Sequence, residues 1–152
     1  MNRHFLSKRL THQLGFAGLI PFVLLSFGCW VAHPDWMEGF IRAQIAYGIA
    51  ILSFVGGLHW GVVLSSPELN ADQTKRALVW GVVPTLIAWC STFNFGIGFL
   101  VLMFGFIAAY QVDKRLYAWY DMPAWVLVLR LQLTWVVVGS LAVTLLAVNV
   151  RA

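Results

Sequence analysis

The sequence predicts an all-α integral membrane protein: a bundle of five transmembrane helices with a cytoplasmic N-terminus and a periplasmic C-terminus. Three observations predict it. The 152-residue chain is 61% hydrophobic and only 11% charged, where a soluble domain carries about 25% charged residues. Its apolar residues fall into five runs, each near the ~20 residues needed to cross a ~30 Å hydrocarbon core. Its cationic residues gather on alternate connections between those runs.

The first run covers residues 14–32 and contains Pro21, which removes a backbone N–H and should kink the helix; His33-Pro34-Asp35 ends it. The second covers 43–64 and is broken by Ser65-Ser66-Pro67-Glu68. The third, 77–92, is short and contains Pro84. The fourth, 96–112, follows across Phe93-Asn94-Phe95 alone, so runs three and four form a tight hairpin. The fifth, 124–149, follows Asp121-Met122-Pro123 and is long enough to tilt or to begin in the interface. Five spans of about 20 residues use roughly 100 residues, leaving no room for a soluble catalytic domain. One domain covering 1–152 is expected, and no enzymatic activity.

With the N-terminus inside, the inner segments hold Arg3, Lys8, Arg9, Lys75, Arg76, Lys114, Arg115 and Arg130, and the outer ones only Arg42 and Arg151. An excess of Lys and Arg marks the cytoplasmic side, which sets the orientation; the expected location is a bacterial inner membrane, which the family resemblance given below implies. Most tryptophans fall near span ends, as interfacial belts do: Trp30, Trp36 and Trp89 outside, and Trp60, Trp80, Trp119 and Trp125 inside. The net charge of +4 is thereby assigned to headgroups. No basic stripe with interleaved aromatics points to nucleic acid, and the expected partners are the lipid bilayer and other membrane subunits or a second copy. Arg3, Lys8 and Arg9 before an apolar run resemble a signal peptide. Trp30, and Ser26-Phe27-Gly28 before Cys29, make poor cleavage contexts, so the run is read as an uncleaved anchor.

In the second run Ser53, Gly57 and Gly61 are spaced by four and share a face. Such a small-xxx-small stripe lets another helix approach closely, and Gly56, Ala46 and Ala50 widen it. It reads as a packing seam within the bundle, with a dimer contact as the alternative; Gly105 and Ala109 form a weaker version. His59 lies about 160° around a regular helix from Gly57, and so faces away from that stripe. An ionisable group within a span is costly unless it is paired. Arg130, Asp113, Trp60, Trp80 and Tyr110 fall at the same level as His59, near the cytoplasmic surface. Two readings stand side by side: a structural hydrogen-bond network, or a site for a quinone, a lipid headgroup or a haem propionate. No resident cofactor is required. A haem held by His12 and His59 is topologically permitted but lacks supporting spacing. Zinc, nucleotide-loop and nucleophile-elbow signatures are absent. Cys29 and Cys90 both fall near outer ends, which permits a disulfide without requiring one. A small oligomeric transporter is a further alternative, but no repeat and no deep acidic residue supports it.

Several segments together resemble a known family. They are Gly18-Leu19-Ile20-Pro21-Phe22, and Tyr47-Gly48 followed by Ile51-Leu52-Ser53-Phe54-Val55-Gly56-Gly57-Leu58-His59-Trp60-Gly61. Trp80 with Pro84, Asp113-Lys114-Arg115-Leu116, and Pro123-Ala124-Trp125 with Leu129-Arg130 and Thr134 follow in order. The chain resembles, over nearly its whole length, a bacterial domain-of-unknown-function family that includes transmembrane protein 69-like proteins. It departs from the family pattern at Trp125-Val126, where a Trp-Tyr pair is expected. The resemblance implies a small polytopic inner-membrane protein with mitochondrial relatives, and no activity. Its mitochondrial link, with the glycine face of run two, suggests an accessory, assembly or scaffold subunit packing against other membrane proteins.

Overall fold

The computed structural model describes the backbone of residues 3–151 and the side chains of 7–151. The side chain of Arg3, counted in the charge asymmetry, therefore lies outside the described residues. Six helices follow one another: α1 (Arg3–Ala17), α2 (Ile20–Val31), α3 (Pro34–Leu64), α4 (Ala71–Cys90), α5 (Phe95–Trp119) and α6 (Ala124–Arg151). Taken end to end, α1 and α2 make one rod, so the bundle has five rods. Four stretches are long and apolar enough to cross a membrane: Ser7–Val31, Pro34–Leu64, Phe95–Trp119 and Ala124–Arg151. The fifth rod, α4, falls short because Asp72, Lys75 and Arg76 occupy its first turns. Its 20 residues still give a length of about 30 Å at 1.5 Å per residue.

The first expected run is two helices rather than one kinked helix. Pro21 has no N–H for the carbonyl of Ala17, and its ring crowds that carbonyl, so α1 stops at Ala17 and α2 restarts with Pro21 in its first turn. Tyr47 on α3 donates its hydroxyl to the Gly18 carbonyl at 2.9 Å, and Gln44 Nε2 donates to the Phe22 carbonyl at 3.1 Å. Tyr47 thus serves a carbonyl at the break, and Gln44 ties the first turns of α2 to α3.

The other boundaries move outward. The α3 helix begins at Pro34 rather than 43: His33 is the N-cap, accepting from the Asp35 amide, and Glu38 pairs with Arg42 one turn on. These polar turns extend the helix past the apolar run. The α4 helix begins at Ala71 rather than 77 because Asn70 and Gln73 form a reciprocal capping box. The α5 helix runs on to Trp119 rather than ending at 112, and α6 reaches Arg151. Asn94 caps α5 by accepting from the Gly96 amide at 2.9 Å, which closes the tight α4–α5 hairpin.

The core is filled by Phe22, Leu52, Phe99, Leu102, Phe106 and Leu141, all fully or almost fully buried. Glycine sets the closest approach, between α3 and α4. A Cβ at Gly56 would collide with the Gly81 carbonyl, and one at Gly81 would meet the Trp60 ring at 2.5 Å. A Cβ at Gly57 or Gly61 would meet nothing within 4 Å. This corrects the expected internal seam. The glycine that packs inside the bundle is Gly56, while Gly57 and Gly61 face outward and Ser53 is half-buried. Helical geometry gives the reason: Gly56 and Gly57 are about 100° apart, so one face cannot hold both.

At one end of the bundle Arg151 donates to the Cys29 and Ala32 carbonyls, closing the C-terminal end of α2. Ser26 and Trp30 on α2 donate to the Ser140 and Val143 carbonyls of α6, each at 3.2 Å. Cys29 is buried, Cys90 is exposed, and both are free thiols. At the other end, where α3 and α5 finish and α6 starts, lies the polar cluster.

Candidate functional site

Antiparallel threading carries His59, Asp113 and Arg130 to one level. His59 is five residues from the end of α3, Asp113 six from the end of α5, and Arg130 six into α6. All three are buried, with 1%, 0% and 9% of their surface exposed. Asp113 is the hub. Its Oδ2 accepts from Arg130 Nε at 3.0 Å and Nη2 at 2.7 Å, and its Oδ1 pairs with His59 Nε2 at 2.8 Å. His59 Nδ1 lies 3.1 Å from the Tyr120 hydroxyl, just past the end of α5. The tautomer with Nε2–H donating to Asp113 and Nδ1 accepting from Tyr120 satisfies both contacts. Burial first, and the Asp113 carboxylate second, push the Tyr120 phenol up to about 12, so it stays an O–H donor. The Tyr117 ring lies against His59, centroids 5.9 Å apart.

Both carboxylate oxygens and both imidazole nitrogens are thus engaged within the protein. A haem or metal bond from His59 would have to displace one of them. His12, the other half of the conceivable haem pair, stacks on Trp125 at 5.3 Å and bonds the Lys8 carbonyl through Nδ1. No group of three His, Cys, Asp or Glu side chains suited to a metal exists among the described residues.

The aromatic members of the expected cluster lie elsewhere. Trp60 neighbours His59 in sequence but points to α4, donating to the Leu78 carbonyl at 3.0 Å. Trp80 packs in a separate cluster with Val63, Ala77 and Leu116, its Nε1 buried without a partner. Tyr110 lies under the Lys114 ammonium, 5.3 Å from its ring centre. Adjacent positions on a helix diverge by about 100°, so equal depth does not bring side chains together. Tyr117, Tyr120 and Thr134 are the site residues that depth alone missed. Spacing held the signal: Tyr117 and Tyr120 follow Asp113 by four and seven, and Thr134 follows Arg130 by four.

Beside the network is a cavity of about 480 Å³, within the 300–1,000 Å³ range usual for small-ligand sites. Its wide apolar wall includes Phe22, Ile51, Val55, Phe106, Leu133 and Val137, and its polar end is Thr11, His59, Tyr117, Arg130 and Thr134. Leu14, Gly15 and Gly18 flank it along α1 and the α1–α2 break. That flank is lightly held: α1 rests chiefly on the start of α6, through His12 on Trp125 and the Lys8 ammonium 5.8 Å above the same ring. The arrangement can seat a hydrocarbon chain with one small polar head.

A family model described as "Protein of unknown function (DUF3429)" matches residues 7–146. Transmembrane protein 69 of Xenopus tropicalis is 35% identical over 142 residues, covering 88% of this chain and 52% of the relative. Transmembrane protein 69 of Mus musculus is 31% identical over 141 residues, covering 88% of this chain and 54% of the relative. The chain therefore spans about half the length of these curated relatives. No solved structure matches. The match spans α2 to α5 completely and most of α1 and α6, including every residue of the buried network, and the chain belongs to the DUF3429 family of transmembrane proteins.

Proposed function

We propose that this chain is a non-enzymatic, multi-pass protein of a bacterial inner membrane that holds a small amphipathic molecule between its helices. The cavity carries the reading: about 480 Å³, walled by apolar side chains and closed at one end by Arg130, His59 and Thr134. The eight-to-two distribution of Lys and Arg supports a cytoplasmic N-terminus, with the network and its cavity in the cytoplasmic leaflet. On this orientation α4 crosses as the fifth span. The test is solvent extraction of the protein purified in mild detergent, with the extract compared by mass spectrometry with bulk lipid. One enriched hydrophobic species, lost when Leu133→Trp fills the cavity, is the expected result. An extract matching bulk lipid for both proteins counts against the reading.

A second reading, an accessory, assembly or scaffold subunit, is favoured by one observation: Gly57 and Gly61 face outward with open space above them. Small residues on a lipid-facing stripe permit close helix approach. Gly57→Leu should abolish any stoichiometric co-purifying partner or dimer while leaving the fold intact. A wild-type protein that is monomeric and alone after gentle extraction argues against it. No particular observation favours transport.

A further inference from the structure

We infer that the cavity takes an uncharged head presenting a carbonyl oxygen, as in a quinone or a glyceride ester, and disfavours a carboxylate or phosphate. The inference rests on the cavity being a ligand site and names the chemistry of its occupant.

Charge balance is the first argument. The Arg130 guanidinium is already matched by Asp113, which is wholly buried and bonded at both oxygens. His59 commits its two ring nitrogens to Asp113 and Tyr120, so neither faces a ligand unbonded. The Arg130 guanidinium is therefore not a free positive charge awaiting an anion. A second carboxylate at this depth would bring a net negative charge into low dielectric, where the desolvation cost of an unmatched ion exceeds the gain from a few hydrogen bonds. An uncharged carbonyl needs donors only.

Donors are present. Arg130 spends Nε and Nη2 on Asp113; the Tyr117 hydroxyl is also within hydrogen-bond reach of its guanidinium, and the side chain keeps 11% exposure beside the cavity it lines. One turn further along α6, Thr134 is 6% exposed, lines the same cavity, and has a buried hydroxyl with no partner. A threonine in a helix ordinarily returns its hydroxyl to the carbonyl four residues back, as Thr144 does to Ser140 at 3.1 Å. Thr134 does not. An unpaired buried hydroxyl is costly, and a ligand acceptor between Arg130 and Thr134 relieves that cost. The tail then lies along Phe22, Ile51, Phe106 and Val137 toward the middle of the bundle.

The experiment uses the 152-residue chain in phosphatidylcholine nanodiscs near neutral pH, with three probes measured by calorimetry: an alkyl benzoquinone, a short-chain diacylglycerol and a fatty-acid anion of matched tail length. At least one carbonyl probe should bind about tenfold or more tightly than the fatty acid, and Thr134→Val should weaken it by about tenfold, the effect of one lost hydrogen bond. Thr134→Ser should restore binding, which guards against a folding defect in the valine variant. Leu133→Trp should abolish binding; binding that survives it lies outside the cavity and overturns the inference. Preference between benzoquinone and diacylglycerol assigns the carbonyl to a quinone or to an ester. A fatty acid bound as tightly as either carbonyl probe overturns the inference but leaves the cavity a ligand site. Binding of no probe overturns the inference, and an extract matching bulk lipid in that case removes the ligand-site reading as well.

Discussion

Asp113 on α5 and Arg130 on α6 are joined through a single carboxylate oxygen, which accepts from Nε at 3.0 Å and from Nη2 at 2.7 Å. That leaves the other oxygen for His59 at 2.8 Å, so one aspartate links three helices. The pairing also neutralises the guanidinium and shapes the polar end of the cavity. Connectivity and charge balance are therefore one feature of this bundle.

Asp113→Asn should destabilise the bundle by about 3–5 kcal/mol, because it strands the Arg130 charge in a buried site. Combining Asp113→Leu with Arg130→Met removes both charges and should recover most of that loss. Thermal unfolding in one detergent measures both. A double variant no more stable than Asp113→Asn would mean that the pair contributes more than mutual neutralisation.

Tyr120 gives the network a pH dependence. Its phenol is raised from 10.0 to about 12, chiefly by burial and then by the Asp113 carboxylate. Above the unfolded value the unfolded chain loses this proton while the folded chain keeps it, so the contribution to stability is full below pH 10.0 and fades as pH rises toward about 12. The difference in unfolding midpoint between wild type and Tyr120→Phe should shift across that window. A difference that stays constant there would contradict the Tyr120 assignment.

Gly56 and Gly57 should respond oppositely to the same change. Gly56→Ala drives a methyl into the Gly81 carbonyl and should cost about 1–3 kcal/mol, as overpacking does. Gly57→Ala meets nothing within 4 Å and should stabilise the monomer by about 0.5–1 kcal/mol, the cost of glycine relative to alanine inside a helix. Unfolding of both variants in one detergent gives the comparison.

The two thiols report orientation. Cys90 is exposed at the end of α4, whereas Cys29 is 1% exposed. With the N-terminus cytoplasmic, a membrane-impermeant maleimide added outside spheroplasts should label Cys90 but not Cys29. Cys90→Ser should abolish the signal. Labelling that appears only after lysis would place the α4–α5 hairpin on the cytoplasmic side.

Depth along a helix was readable from the sequence, and direction around it only in part. Counting from the ends of apolar runs put His59, Asp113 and Arg130 at one level, and antiparallel packing then brought them together. The same counting placed Trp60, Trp80 and Tyr110 there too, but they point to α4, to a separate cluster and to Lys114. The helix ends were missed where polar turns continue an apolar run, as at Pro34 to Arg42, because hydropathy reports the lipid-facing length and not the capped length. A kink was legible in Pro21, but the full break after Ala17 was not. The bracing of the Gly18 carbonyl by Tyr47 was not, since those residues meet only across two helices. The cavity had no sequence signature: it is a space left between α1, α2, α3, α5 and α6.

Native mass spectrometry of the intact protein released from mild detergent tests most directly that this cavity holds an amphipathic molecule. The account predicts a peak heavier than the bare chain by one constant mass in the wild type, and its loss in Leu133→Trp. A bare chain in both proteins, or an adduct that persists when the cavity is filled, would contradict it.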